Sequence, residues 1–178
     1  MKDMLTIIFC EFYDFCKFYN KDIDNFLRNN FNKIRNREHK MQLSEILAIM
    51  IFFNASNAKN FKNWYENDIL VNYRSEFRNL VSYNRFLEFK KKYGIILYFF
   101  LQIKKWDKSQ EIKFIDSFSI KACHIKREYS NKVMKDYAAK GKSSMGWFYG
   151  LKLHVVLNAN GELASFGITP GNVADNNK

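Results

Sequence analysis

The stretch from Gly146 to Val173 constrains the fold of this chain more than any other segment. Between Phe148 and Asn158, apolar residues occupy alternate positions: Tyr149, Leu151, Leu153, Val155 and Leu157. Alternation with a period of two is typical of a β-strand that has one apolar face. The opposite face then carries Lys152, His154 and Asn158. We therefore predict a strand with one face buried and the other polar.

A hairpin turn is predicted directly after this strand. Asn160-Gly161 is a favoured two-residue turn because both residue types tolerate positive φ. With this turn, three pairs face each other on the apolar side: Leu157 with Ala164, Val155 with Phe166 and Leu153 with Ile168. Three pairs lie on the polar side: Lys152 with Thr169, His154 with Gly167 and Val156 with Ser165. The apolar pairs agree with burial of one face.

An earlier strand, Lys113 to Ile120, places a single carboxylate in an apolar row. Asp116 shares its parity with Ile112, Phe114, Phe118 and Ile120. Burying an ionised carboxylate costs on the order of several kcal/mol unless it is paired or binds a metal ion. The strand alone leaves three roles open for Asp116: pairing with a lysine, capping a bulge, or binding a metal.

The first hundred residues have the periodicity of amphipathic helices. One face of a first helix carries Leu5, Ile8, Phe12, Phe15 and Tyr19, and a second carries Ile23, Phe26, Leu27, Phe31 and Ile34. Ser44 is a candidate N-cap for an apolar helix from Glu45 to Asn54, and Ser82 opens a long helix. We predict an α+β protein, with a helical region at residues 1–105 and a domain with three strands at 111–178.

Composition narrows the classes of partner. The chain has 178 residues and a formal net charge of +11, which favours a polyanion such as nucleic acid over an anionic membrane surface. An AT-rich coding sequence also produces many lysines, so the total charge alone leaves both explanations open. Three cysteines without metal-ligand spacing fit a reducing cytosol. No apolar run approaches the length of about 20 residues that spans a bilayer, so we expect a cytoplasmic, nucleoid-associated protein without a membrane partner.

The basic residues concentrate between the two predicted strands. From Lys121 to Lys152 there are eight Lys or Arg and two acidic residues, a difference of six positive charges. The segment Ala139 to Gly146 is expected to be a loop that presents hydroxyl and backbone N–H groups to phosphate. A solvated basic loop explains the same pattern equally well. The candidate DNA-binding residues are Lys121, Lys126, Arg127, Lys140, Lys142, Ser143, Lys152 and His154.

Four segments together resemble a known family. They are LVSYNRFLEF at residues 80–89, IDSFSIKACHIKR at 115–127, GKSSMGWFYGLKLH at 141–154 and ITPGNVAD at 168–175. In this order they resemble transposases of bacterial insertion sequences, of the group numbered nine-eight-two within the DDE class. The resemblance covers roughly residues 43–175.

This resemblance implies a ribonuclease H-like domain that cuts and rejoins DNA with three carboxylates and two divalent ions, Mg²⁺ or Mn²⁺. Two such ions clamp the attacking and leaving oxygens of a phosphoryl transfer. Asp116 matches the first of the three carboxylates, which implies a catalytic, metal-binding role. The implied partners are transposon ends, together with a full-length transposase or a second copy of this chain.

The chain also departs from the family pattern. In the family, the second aspartate and the glutamate lie beyond the TPGNV segment, and Asp175 matches neither of them. We therefore expect a C-terminally truncated transposase that is inactive alone. The main alternative is a catalytically silent DNA-binding module or an inhibitor of the full-length transposase. A decayed gene product and a basic RNA-binding protein remain further alternatives.

Overall fold

The computed structural model describes residues 2–30, 41–77, 79–103 and 112–174. The chain divides into two compact units, residues 1–100 and residues 101–178, which we call the helical unit and the sheet unit. Helices precede strands, so the α+β class is confirmed. The predicted boundary at residues 105–111 lies within the segment 104–111, which is outside the described residues.

The helices form where apolar residues recur at helical spacing. Their bounds are α1 (Lys2–Phe18), α2 (Asn20–Asn30), α3 (Leu43–Ala55), α4 (Phe61–Trp64), α5 (Leu70–Asn72) and α6 (Tyr83–Ile103), with a π-helical turn (Tyr65–Ile69) between α4 and α5. The start of α6 directly after Ser82 is as predicted. Phe31 and Ile34, which were predicted to extend the second helix, lie outside the described residues.

The core of the helical unit is largely aromatic. Phe86 is fully buried, and its ring centroid lies 4.8 Å from that of Tyr65. Phe12 on α1 packs against Phe100 at 4.6 Å, and α1 also packs against α3. Leu5, Phe12 and Phe15 are buried, which confirms the apolar face predicted for α1. Among the helices in the described ranges, none has the length and apolar character needed to cross a bilayer.

The start of α3 differs from the prediction. The helix begins at Leu43, and Ser44 is a buried residue of its first turn rather than its N-cap. Gln42 is the N-cap, and its backbone N–H donates to the carboxylate of Glu45 at 2.7 Å. Because Glu45 reaches back to this otherwise unpaired N–H, the helix starts earlier than Ser44 had indicated.

The sheet unit is built around one long central strand. The strands are β1 (Lys113–Cys123), β2 (Ala139–Ser143), β3 (Gly146–Asn158) and β4 (Leu163–Pro170), with a 3₁₀ helix (Ile125–Ser130) after β1. β3 pairs antiparallel with the other three. β1 lies on one side of β3. β2 and β4 lie on its other side, where β2 pairs with residues 146–150 and β4 pairs with residues 151–157.

The strand β2 corrects the prediction of a loop at Ala139 to Gly146. Lys140 pairs with Tyr149, and Lys142 pairs with Trp147. Ser143 faces Gly146 across a tight turn, where Gly146 adopts a φ of +107°. The segment looked like a loop because it is short and polar, but an adjacent strand satisfies its backbone groups.

The β3–β4 hairpin confirms most of the predicted register. Five of the six predicted pairs are present, and only Leu157 is shifted, to Leu163 instead of Ala164. The loop has three residues rather than two: Asn158 pairs with Glu162 by a backbone hydrogen bond of 3.0 Å, and Gly161 has a φ of +78°. A bulge at Ala164 compensates for the extra loop residue, which restores the register farther along.

The burial of the two sheet faces differs from the prediction. On the apolar face, Phe114, Phe118 and Ile168 remain exposed. On the polar face, Lys152 is only 8% exposed and Asn158 is also buried. The segment after β4 contributes to the burial of Lys152, because residues 171–174 line the same cleft as Lys152.

Candidate nucleic-acid interface

Asp116 lies in the middle of β1, opposite Val155 of β3. The residue is exposed, and its Oδ1 accepts a hydrogen bond of 2.7 Å from the backbone N–H of Ser117. The expected cost of a carboxylate in a buried apolar row is therefore absent, because water reaches it. The bulge of this strand pair falls between Lys121 and Cys123, so Asp116 does not cap it.

The residues around Asp116 do not fit a two-metal centre. Such a centre needs several hard oxygen ligands that converge from separate elements. Across residues 2–30, 41–77, 79–103 and 112–174, no three His, Cys, Asp or Glu side chains lie together in a way that could hold a metal ion. Asp175 lies outside these ranges. Asp116 thus belongs to no group of three potential ligands among the described residues.

Three of the predicted DNA-binding lysines line the same cleft. Lys140, Lys142 and Lys152 line a cleft of about 590 Å³ together with Trp147 and residues 171–174, which we call the basic cleft. β2 supplies two of these lysines and β3 supplies the third. Because β2 and β4 share one edge of β3, the residues that follow β4 reach the lysines of β2.

Glycines allow the backbone to approach closely at this junction. A Cβ on Gly141 would stand 1.9 Å from the carbonyl oxygen of Gly171, and one on Gly150 would stand 2.0 Å from that of Ile120. The backbone N–H of Gly171 donates to the carbonyl oxygen of Gly150 at 3.0 Å. Side chains at these positions would push the strands apart, so the glycines determine the shape of the cleft.

Trp147 lies beside two of the cationic groups of the cleft. The Nζ atoms of Lys140 and Lys142 are 5.6 Å and 6.0 Å from its ring centroid. These distances are within or at the limit of cation–π attraction, which is about 6 Å. The cleft thus combines positive charge with an aromatic surface.

A carboxylate lies next to the cleft. Oε1 of Glu128, on the 3₁₀ helix, is 3.7 Å from Nζ of Lys140. The Glu128 side chain is only 11% exposed, and its Oε2 is buried without a hydrogen-bond partner among the described residues. Lys140 therefore lies between an internal anion and the open cleft.

The other predicted basic residues lie outside the lining of the cleft. Lys126 and Arg127 are exposed on the 3₁₀ helix, where His124 Nδ1 accepts the Lys126 backbone N–H at 3.3 Å. Lys121 is exposed on β1, opposite Gly150. These three residues add positive charge to the sheet unit without forming part of the cleft lining.

Two predicted contacts make hydrogen bonds within the fold. The Ser143 hydroxyl accepts from the backbone N–H of Met145 and donates to the carbonyl oxygen of Gly146, both at 3.3 Å. A ring nitrogen of His154, Nε2, lies 2.8 Å from the hydroxyl oxygen of Thr169. Both side chains therefore support the hairpins that flank the cleft.

The sequence prediction did not identify Trp147 and Glu128 as members of the site. A signal for Trp147 existed, because it directly follows Gly146 at the end of a basic segment, where a large apolar residue is unusual. Glu128 gave no such signal, since its approach to Lys140 depends on how the 3₁₀ helix packs beside β2.

Together, the fold and the site define an α+β protein whose sheet presents a cationic cleft to solvent. Residues 106–178 match the family described as the transposase DDE domain, and this match supports a transposase of the DDE class. Members of this family generally bind DNA and depend on divalent metal ions. No curated protein and no solved structure matches the chain significantly.

Proposed function

We propose that this chain is the DNA-binding part of an insertion-sequence transposase of group nine-eight-two, and that its sheet unit begins a ribonuclease H-like domain. The family match over residues 106–178 supports the transposase class. The four segments that resemble this group support the finer assignment. The protein would act in the cytoplasm at the nucleoid, on transposon ends, beside a full-length transposase or a second copy of itself.

The lysines of the basic cleft carry this proposal. Lys140, Lys142 and Lys152 come from two strands and line one cleft, in which Lys140 and Lys142 are exposed. Phosphate groups are the natural ligands of clustered ammonium groups, and they supply most of the affinity of proteins for DNA. Lys121, Lys126 and Arg127 extend the same positive charge outside the cleft.

The test is the salt dependence of duplex binding. Each lysine–phosphate contact adds about 0.9 to the slope of log affinity against log salt concentration. Lys140→Ala with Lys142→Ala should therefore lower the slope by about 1.8, and Lys126→Ala with Arg127→Ala should lower it too. The matched control, Lys59→Ala with Lys91→Ala, removes the same charge from exposed positions of the helical unit. Equal losses in the cleft variant and this control would contradict the proposal.

One observation favours a second candidate function, a catalytically silent DNA-binding module or an inhibitor of the full-length transposase. Asp116 matches the first metal-binding carboxylate of the family, yet among the described residues no group of three His, Cys, Asp or Glu side chains could hold a metal ion. A two-metal centre needs several such ligands. Occupation of transposon ends without cutting would compete with an active enzyme.

Cleavage assays separate the two candidates. With Mg²⁺ or Mn²⁺ and DNA that carries the transposon ends, the silent module should cut nothing, and Asp116→Ala should change nothing. Added to an active full-length transposase, the chain should inhibit cleavage, and Lys140→Ala with Lys142→Ala should weaken the inhibition. Metal-dependent cutting that Asp116→Ala abolishes would instead establish an active transposase.

A further inference from the structure

The environment of Trp147 differs from that of a core tryptophan. Trp64 in the helical unit is 6% exposed and packs among Phe52, Phe53 and Phe61. Trp147 is 60% exposed and lies on the lining of the basic cleft. An exposed indole leaves a large apolar surface in water, where it does not stabilise the fold by burial. Such a surface beside cations is suited to a ligand.

The charges around Trp147 indicate the chemistry of that ligand. Two ammonium groups lie within about 6 Å of the ring, at Lys140 and Lys142. A matching ligand needs a flat π-surface for the indole and negative charge at a short distance from it. A nucleotide has both, as a base and its phosphates. Proteins that bind single strands use this combination of aromatic side chains and a positively charged groove.

The size of the cleft matches an unpaired nucleotide. A volume of about 590 Å³ accommodates a ligand of a few rings and a phosphate. In a duplex, both faces of each internal base are already stacked. An internal base can reach the indole only when it has left the stack.

We propose that the basic cleft binds an unpaired nucleotide of a DNA strand, with its base stacked on Trp147 and its phosphates held by Lys140 and Lys142. The proposal rests on DNA binding by the sheet unit and names the form of DNA that this cleft takes. The duplex next to the unpaired nucleotide would contact basic residues outside the cleft, such as Lys126 and Arg127. Trp147 thus gives the chain a preference for DNA ends that are frayed or single-stranded.

The experiment compares three labelled nucleic acids by fluorescence anisotropy with the full 178-residue chain. They are a blunt DNA duplex, the same duplex with a three-nucleotide DNA overhang, and the same duplex with that overhang made of RNA. Base stacking predicts that the DNA overhang raises affinity about 5- to 150-fold over the blunt end. Trp147→Ala should remove this gain and leave blunt-duplex affinity within about twofold. Trp147→Phe should keep most of it, because it retains an aromatic ring.

A second readout tests stacking itself. The fluorescence difference between the natural chain and Trp147→Phe isolates the emission of Trp147 from that of Trp64 and Trp106. The overhang should quench this difference, whereas the blunt duplex should not. Circular dichroism of each variant checks that the exposed substitution leaves the fold intact.

Each outcome decides between the proposals. Equal affinity for blunt and overhang DNA, or an equal loss of both in Trp147→Ala, would overturn the stacking site and leave duplex binding in place. Affinity for the RNA overhang more than tenfold above that for the DNA overhang would overturn the choice of DNA. Absence of salt-dependent binding to any DNA would overturn the proposed function itself, and the stacking site with it.

Discussion

The helical unit and the sheet unit use aromatic and apolar residues in opposite ways. In the helical unit, Phe52, Tyr65 and Phe86 are fully buried and stack against other rings. In the described part of the sheet unit, the buried hydrophobic residues are Ala138, Phe148 and Tyr149. Large apolar side chains of β1 point to solvent instead. Packing energy is therefore concentrated in the helical unit, whereas the candidate interface lies in the sheet unit.

The difference follows from how each unit can bury its surface. Helices with apolar faces pack against one another within a single unit, so α1 and α3 cover each other. A sheet has two faces, and an apolar face stays exposed unless another layer covers it. β1 leaves Phe114, Phe118 and Ile120 exposed on that face.

The largest expected effect is the loss of a core ring in the helical unit. Phe86→Ala should lower the free energy of unfolding by about 3–5 kcal/mol, since it leaves a cavity beside Tyr65 and Phe61. Phe118→Ala removes a ring that is 53% exposed and should cost far less. Urea denaturation followed by circular dichroism measures both. Equal losses in the free energy of unfolding would show that β1 is covered in solution and that the two units do not differ in this way.

A smaller effect is expected from a single added methyl group. Gly150→Ala places a Cβ 2.0 Å from the Ile120 carbonyl oxygen, which must separate β1 from β3 at a cost of about 1–3 kcal/mol or more. Gly94→Ala in α6 meets only Met50 Cε at 4.0 Å and should stabilise the helix by up to about 1 kcal/mol. Thermal unfolding measures the two opposite shifts. A rise in the thermal midpoint of Gly150→Ala would mean that β1 and β3 can separate at this position without cost.

Glu128 should affect function more than stability. Glu128→Gln removes the negative charge that lies 3.7 Å from Nζ of Lys140. The Lys140 ammonium group can then bind phosphate without this competing carboxylate. Lys140 is half-exposed, so the pair is worth about 0.2–1 kcal/mol, and DNA affinity should rise about 1.4- to 5-fold. Anisotropy titration at fixed salt measures the change. Weaker DNA binding would show that Glu128 positions Lys140 for phosphate rather than competing for it.

The smallest effect is expected at an exposed ion pair of the helical unit. Nζ of Lys2 lies 2.9 Å from Oε1 of Glu76, which lowers the pKa of Glu76 below its ordinary value of 4.5 and raises that of Lys2 above 10.5. The ion pair therefore stabilises the folded helical unit between pH 4.5 and pH 10.5. The contribution is lost as pH falls through the lowered pKa of Glu76 or rises through the raised pKa of Lys2.

Glu76→Gln is the matched control for Glu128→Gln. Because both groups of the pair are exposed, this substitution should change neither the thermal midpoint at pH 7 nor DNA affinity measurably. Thermal scans at pH 7 and below pH 4 test the stability part. A clear loss at pH 7 would show that surface charge stabilises the helical unit more than its geometry indicates.

Much of the local structure could be predicted because it depends on neighbouring residues. The helices of the first hundred residues follow from apolar residues at helical spacing, as the burial of Phe12 and Phe15 shows. The register of β3 with β4 followed from alternation and a turn, and the pairs Val155–Phe166 and Leu153–Ile168 are present. The predicted loop was one residue too short, because nothing in the sequence indicates the bulge at Ala164.

The α+β class, the strands with alternating residues and the concentration of basic residues between Lys121 and Lys152 follow from local sequence patterns. The pairing of β2 with β3, and the cleft that Lys140, Lys142 and Trp147 line together with Lys152, depend on the tertiary structure. The exposure of Asp116 and the burial of Lys152 depend on it as well. Alternation is a local property that side chains carry with them. Convergence and burial depend on which distant segment covers a surface, and this is settled only when the strands pair.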